Sequence, residues 1–357
     1  MSFSSILQTQ QTQQTQQTQQ TQQTQQTQQT QTAGGGGGAS PAQLAHALDA
    51  VALTLPNAIP DDVSAIAPEQ TPERILSRLI PLHRHIMMTE ALSAGLAVQP
   101  AKTDGHVEVL LDGEVLCTLT SPFVDAKGKP VSPKPALEGI NARRWLRAER
   151  ISEITIQKSD ILSFLGLAYP MTRASHPMTL AVLDAVLAAA GKVVVQAKFL
   201  LNVPRPSDLT SAVNPVIAVP AHASCPSGHA SEAHALAFAM EAMIFGQPSQ
   251  ELRLVAARIE ENRVVAGVHY EHDGHMGRVL AAALAPVFAA RLGVPSTAPA
   301  SADVASGWAG SGEGGLYDAL PPVSGSEGMA PAGLEAKGAS GILATAMRVV
   351  ASETGVR

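Results

Sequence analysis

Between residues 41 and 295 the apolar positions recur at the three- and four-residue steps of amphipathic helices. Pro41 to Leu55 and Pro72 to Leu96 carry Ala and Leu in this pattern, and two shorter helical runs follow, Ala142 to Ile156 and Ser159 to Leu167. A long helix is predicted from Pro177, with Leu180, Leu183, Leu187, Ala190, Val194 and Leu201 at core spacing and Lys198 near its end. Pro204 and Pro206 stop it, because each lacks an N–H and Pro206 disfavours α geometry at Arg205. A further apolar-periodic run spans Ala230 to Phe245. Strand alternation is convincing in one place, where Val107 to Leu111 and Glu114 to Leu119 flank Asp112-Gly113, a pair suited to a two-residue hairpin turn. Phe123 to Pro135 reads as a loop. The predicted fold class is all-α, a helical bundle with one small β-hairpin and disordered tails.

The chain ends carry no such pattern. Thr-Gln-Gln repeats through residues 8 to 32 and Gly34 to Gly38 follow, a composition that cannot bury enough apolar surface to offset ordering, so 1–40 is predicted to be disordered. Residues 41–295 form the predicted helical domain, and 296–357 a Gly/Ser/Pro/Ala-rich tail in which Ile342 to Ser352 can make a short helix. Hydrophobic residues make up 45% of the chain but aromatics only 3%, which leaves an Ala-, Leu- and Val-rich core and favours helix. The net charge of −6, with no Lys/Arg-rich run, argues against a nucleic-acid partner. No signal-peptide pattern opens the sequence and Asp184, Lys192, Gln196 and Lys198 interrupt its longest apolar run, Thr179 to Val203. The expectation is a soluble protein without a membrane span, cytoplasmic rather than secreted. Two cysteines, Cys117 and Cys225, provide no disulfide framework.

The chemistry gathers in three segments. His222 to Ala230 reads His-Ala-Ser-Cys-Pro-Ser-Gly-His-Ala directly before a helical run. Pro226 suits a first turn and the small Ser227 and Gly228 leave the helix N-terminus open to an anion, with His229 at its lip. Lys198 and Arg205, seven residues apart, would share a face if the helix persisted; they read either as cations completing that site or as a basic turn complementing the helix dipole. In Asn262 to Gly277, His269 and Asp273 stand at i and i+4, where a carboxylate can hold an imidazole N–H and fix its tautomer. Arg263 lies off that face and must use its length or a break near Gly267. A rival reading takes His269, His272 and His275 as zinc ligands, although helical drift makes them a poor tetrahedral face. His234 reads as a packed helix residue, and His46, His83, His85 and His106 as surface or satisfied core.

Lys198 followed by Arg205-Pro206, then Pro226-Ser227-Gly228-His229, then Arg263, His269 and Asp273, resembles the three-part signature shared by vanadium-dependent haloperoxidases, bacterial class A acid phosphatases and type 2 phosphatidic acid phosphatases. The likeness runs from Lys198 to Arg278. It implies that Lys198, Arg205, Arg263, the Ser227 hydroxyl and the Gly228 N–H hold the equatorial oxygens of an oxyanion, between His269 at one apex and His229 at the other. In a phosphatase His269 would attack phosphorus and His229 would protonate the leaving alkoxide. In a haloperoxidase the same pocket would keep vanadate, with His269 its protein ligand, and hydrogen peroxide would oxidise halide to hypohalous acid. His222, seven residues before His229, and Gly267-Val268-His269-Tyr270 are similar to the bromoperoxidase pattern. Val195, one turn before Lys198, stands where chloroperoxidases carry Trp and algal bromoperoxidases Arg, and Asn262 stands where the phosphatases carry Ser. The resemblance therefore implies a vanadate-dependent bromoperoxidase-type enzyme. Its partners would be hydrogen peroxide, halide and an organic acceptor, and a homo-oligomer is left open. An acid phosphatase using His269 is the alternative, and a non-catalytic anion-binding or assembly protein is the hypothesis from another class.

Overall fold

The computed structural model describes residues 71–306 and 341–355, together with His46. The chain divides into two units, Met1–Glu69 and Gln70–Arg357, and the fold described is that of the second. The expectations for 1–40, for a helix at Pro41 to Leu55 and for residues 307–340 lie outside the described residues.

The described fold is mostly helical, with a small antiparallel sheet. The helices are α1 (Pro72–Arg78), α2 (Pro81–Ser93), α3 (Lys134–Ala142), α4 (Arg147–Gln157), α5 (Leu162–Leu165), α6 (Pro177–Leu201), α7 (Pro206–Leu209), α8 (Gly228–Met240), α9 (Gln250–Val265), α10 (Glu271–Leu292), α11 (Ser301–Ser306) and α12 (Gly341–Thr354). A π turn, Glu241–Phe245, continues α8, and a 3₁₀ turn, Arg144–Leu146, leads into α4.

Proline sets several of the starts. Pro81 and Pro177 occupy first-turn positions, where the missing N–H costs nothing, and Thr71 caps α1 by accepting from the Arg74 N–H at 3.3 Å. Pro81 also divides the single helix predicted from Pro72 to Leu96 into α1 and α2. That helix ends at Ser93, and Gly95, at φ +68°, turns the chain into a strand.

The sheet is consequently three-stranded rather than a hairpin alone: β1 (Leu96–Pro100), β2 (His106–Leu111) and β3 (Glu114–Thr120). The predicted turn at Asp112-Gly113 joins β2 to β3, with both residues at positive φ, 51° and 91°. β1 pairs Leu96 with Leu111 and Val98 with Val109. Its short Leu-Ala-Val run continues the apolar pattern of α2, so periodicity alone does not separate them. The predicted loop ends early, at Lys134, where α3 begins after Pro133.

α8 lies at the centre. From Ala230 to Met240 all but Glu232 are buried, and the helix is packed by α10, α9 and α6. A helix apolar on all sides belongs inside a core, and its alanines let its neighbours approach closely. One such approach is at Gly277 of α10, where an added Cβ would lie 2.9 Å from the Ala230 Cβ and 3.0 Å from the Ser227 carbonyl oxygen. That contact sets the α10 backbone against the N-terminus of α8. On the far side α6 is flanked by α2, α12 and the sheet. The stretch Pro177–Leu209 is long and apolar enough to cross a membrane by length and composition, with mean hydropathy 1.9, which modifies the expectation of no candidate span. In this fold 56% of its apolar window is buried against neighbouring elements.

Candidate active site

Four chain ends meet at the N-terminus of α8: the C-termini of α4, α6 and α9, and the start of α10. The first contribution is from α6. Asn202, left-handed at φ 44°, caps this helix, so Lys198 and Arg205 do not share a helical face as an unbroken helix would require. They converge instead through the segment 222–224. Lys198 is buried, and its Nζ donates to the Ala223 carbonyl at 2.9 Å and the Ser224 carbonyl at 2.7 Å. Burial, with Arg205 close by, brings its ammonium down to about 8.

Arg205 begins α7 with its N–H on the Asp208 carboxylate at 2.8 Å. Its guanidinium spans the site: Nε donates to the His222 carbonyl (3.0 Å), Nη1 to the Val268 carbonyl (2.7 Å) and to His269 Nε2 (3.0 Å), and Nη2 to His222 Nδ1 (3.0 Å). Arginine can only donate, so the His269 Nε2 that it faces is unprotonated, while His222 Nδ1 lies between Arg205 and the Ala223 carbonyl at 3.1 Å.

His269 is therefore a neutral ring with its proton on Nδ1, 2.9 Å from Asp273 Oδ2. The pairing expected at i and i+4 occurs, but not on a continuous helix. α9 ends at Val265, Gly267 takes φ +79°, and α10 starts at Glu271, so His269 lies in the connection and Asp273 in the first turn. Asp273 Oδ2 also accepts from the Tyr270 N–H at 3.0 Å and the Ser224 hydroxyl at 2.5 Å. Burial raises this carboxyl, but the bonds from His269, Ser224 and Tyr270 together hold it below the usual range. Burial, helped by Arg205 and Lys198, drives the His269 imidazolium well below its ordinary value against the pull of Asp273.

Ser227 is the N-cap of α8, its hydroxyl accepting from the Ala230 N–H at 3.4 Å. The helix begins at Gly228, so Pro226, predicted in the first turn, stands before the cap. Gly228 and His229 are the first two helical residues, with backbone N–H groups that a helix cannot satisfy internally. His229 Nε2 lies 3.3 Å from the Lys158 carbonyl. Burial and the nearby Arg263 lower its imidazolium to about 4. Glu232, one turn further along α8, is raised by burial against the attraction of Lys198.

Arg263, on the last turn of α9, is only 1% exposed. Its Nη2 donates to the Ile154 carbonyl and to Gln157 Oε1, both at 3.3 Å. Its Nε and Nη1 have no hydrogen-bond partner among the described residues. Burial lowers Arg263 only to about 10, so it remains a cation. Lys198, Arg205, Ser227, Gly228, His229, Arg263, His269 and Asp273 are thus brought together, and the exposed His222 joins them through Arg205.

Sequence reasoning passed over Ser224 and the α4 contacts from Ile154, Gln157 and Lys158. Ser224 lies within the stretch singled out, and a small hydroxyl beside an imidazole–carboxylate pair is a usable signal. α4 carries none, because a carbonyl contribution leaves no mark in the sequence. The zinc trio does not converge: His272 Nε2 turns to the Thr120 carbonyl at 2.9 Å, His269 faces Asp273 and Arg205, and the His272 and His275 ring centres are 6.4 Å apart. His234 is packed as expected, against Glu260 at 2.9 Å.

Residues 179–293 match the model of the PAP2 superfamily. No curated protein matches the chain.

The histidines make the fold acid-sensitive. His222, His229, His234, His269, His272 and His275 are all held below the ordinary 6.5, in each case chiefly by burial. Between 6.5 and about 4 the unfolded chain binds more protons than the folded one, so stability is present above 6.5 and lost as pH falls through the folded values. The midpoint of thermal unfolding is expected to drop steadily from pH 7 to pH 4. Inorganic phosphate should oppose this drop, because a bound anion favours protonated His229; a flat pH profile would contradict the depressed values.

Proposed function

We propose that the chain is a vanadate-dependent peroxidase that oxidises halide, bromide in preference, with hydrogen peroxide to hypohalous acid. The observation that carries the oxyanion site is Arg263, a buried cation whose Nε and Nη1 have no partner among the described residues, beside a helix N-terminus. Donors left unmet in a protein interior are costly, and an oxyanion would satisfy them. Lys198, Arg205, Arg263, the Ser227 hydroxyl and the Gly228 N–H would hold vanadate, with His269 Nε2 as its protein ligand. When bound, vanadate supplies Lewis-acid activation of peroxide.

The protein groups have separable tasks. Asp273 keeps the His269 proton on Nδ1, which leaves Nε2 as a lone pair. Lys198, Arg205 and Arg263 supply fixed positive charge in a buried setting, where it acts more strongly than in water. The Lys158 carbonyl can only accept, so neutral His229 carries its proton on Nε2 and can take one from an incoming substrate at Nδ1. Arg205 ties His222 to the same site, and that third imidazole favours the peroxidase reading, because hydrolysis needs only a nucleophile and an acid.

Phosphate-ester hydrolysis is the second reading, favoured by the unprotonated His269 Nε2. That nitrogen would attack phosphorus in line while the P–O bond to the leaving group breaks. Protonated His229 would give its proton to the departing alkoxide, and water would then cleave the phosphohistidine. Since His229 protonates only near 4 in the free protein, this activity should rise toward acid pH. The deciding experiment measures peroxide-dependent bromination after adding orthovanadate, alongside p-nitrophenyl phosphate hydrolysis without it. Bromination with vanadate is expected. Hydrolysis without vanadate and no bromination with it would assign the site to phosphate esters.

A further inference from the structure

Gln157, the last residue of α4, lies outside the three segments that carry the signature and outside the PAP2 match. It is fully buried, and its side-chain orientation is fixed by chemistry. Oε1 faces Arg263 Nη2 at 3.3 Å and Asn262 Nδ2 at 2.9 Å. A guanidinium only donates, so the amide oxygen must be the atom turned toward it, and Nε2 must point the other way. Nε2 has no hydrogen-bond partner among the described residues, and neither do Arg263 Nε and Nη1. Unmet donors on adjacent buried side chains, next to His229 and the Lys158 carbonyl, are the mark of a missing acceptor.

We infer that the Gln157 carboxamide N–H is a further hydrogen-bond donor to the bound oxyanion, while its oxygen sets the plane of Arg263. The inference rests on the oxyanion reading of the site and extends it to a segment the family pattern does not reach. Neutrality is part of the design. The acceptors on Arg263 Nη2 are the Ile154 carbonyl and an amide oxygen, so no carboxylate bonded to Arg263 cancels the charge offered to the anion.

The carboxylate in this network is kept one step away. Asn262 Nδ2 donates to Gln157 Oε1 and to Glu153 Oε2, both at 2.9 Å, and Glu153 is in turn held by Arg258 at 2.9 Å from both Nε and Nη2. Asn262 therefore turns toward α4 and fastens Gln157, where the phosphatase pattern would place a serine.

The test compares the full-length wild type with Gln157→Glu, titrating orthovanadate and inorganic phosphate by calorimetry. Glutamate keeps the shape and the acceptor for Arg263 and Asn262 but removes the donor and adds charge. The variant should fold with an unchanged or higher unfolding midpoint and bind both anions at least about tenfold more weakly. Wild-type affinity in a folded Gln157→Glu chain would reduce Gln157 to packing and overturn the inference. Should the variant fail to fold, the wild type provides the same decision. Saturation with phosphate should move the Gln157 side-chain amide proton resonances downfield, and resonances that do not move would overturn it. A wild type that binds neither anion would instead remove the oxyanion reading, and this inference with it.

Discussion

A chain carrying His269→Ala is expected to retain no vanadate and to lose either candidate activity by a factor on the order of 10⁴ or more. The size follows from the position of Nε2. It is an unprotonated nitrogen in the ring of cations, its orientation set on one side by Asp273 at 2.9 Å and on the other by Arg205 at 3.0 Å. In the peroxidase reading it is the protein's bond to vanadate, and in the phosphatase reading it is the nucleophile. Folding should survive, since Asp273 keeps its bonds from Ser224 and Tyr270, at a cost of about 1–3 kcal/mol for the lost partner. Equilibrium dialysis against vanadate, with steady-state rates of bromination and of p-nitrophenyl phosphate hydrolysis, checks the prediction. A variant keeping a hundredth of either rate would move the chemistry away from His269. His222→Ala provides the contrast: this residue is exposed and meets Arg205 through Nδ1 alone, so its loss should leave vanadate in place and change halide turnover instead.

The parts of this molecule legible in sequence are those where one physical rule acts over a short span. Apolar spacing located most of the helices, and Asp112-Gly113 fixed the β2–β3 turn because both residues tolerate positive φ. What escaped depended on contacts distant in sequence. β1 went unpredicted because its apolar run is too short to show a period, and only pairing with Leu111 and Val109 makes it a strand. The site shows the same division. Lys198, Arg205, Arg263, His229, His269 and Asp273 announced themselves by residue type and spacing. The geometry that unites them did not, because it depends on breaks: Asn202 and Gly267 both take positive φ, ending α6 and α9 where continuous helices would have turned Arg205 and His269 elsewhere. Gln157 was illegible for a different reason. A glutamine in a charged helix looks like a solvated residue, and only the obligatory donor character of Arg263 gives it an orientation.

Asp273→Asn should be nearly as damaging as loss of His269 itself, lowering turnover by about 10³–10⁴ while leaving the fold in place. The two side chains have the same shape, and an asparagine oxygen can still accept from the Tyr270 N–H and the Ser224 hydroxyl. It no longer supplies the negative charge that faces the His269 Nδ1–H. Arg205 Nη1, which only donates, still keeps Nε2 unprotonated, but that nitrogen becomes less basic and the positive charge the ring takes on when Nε2 forms a bond loses its counter-charge. The basicity of Nε2 therefore depends on one carboxylate, held low by the bonds it accepts. Because its folded value lies below the ordinary 3.8, Asp273 stabilises the fold above that pH and the contribution disappears as pH falls through the folded value. Asp273→Asn removes this portion of the acid unfolding profile. The check is turnover measured together with the unfolding midpoint from pH 7 to pH 3. The variant should be nearly inactive throughout, with a shallower loss of stability below pH 4 than the wild type. Wild-type turnover in the asparagine variant would show that the reactivity of His269 does not depend on the Asp273 charge.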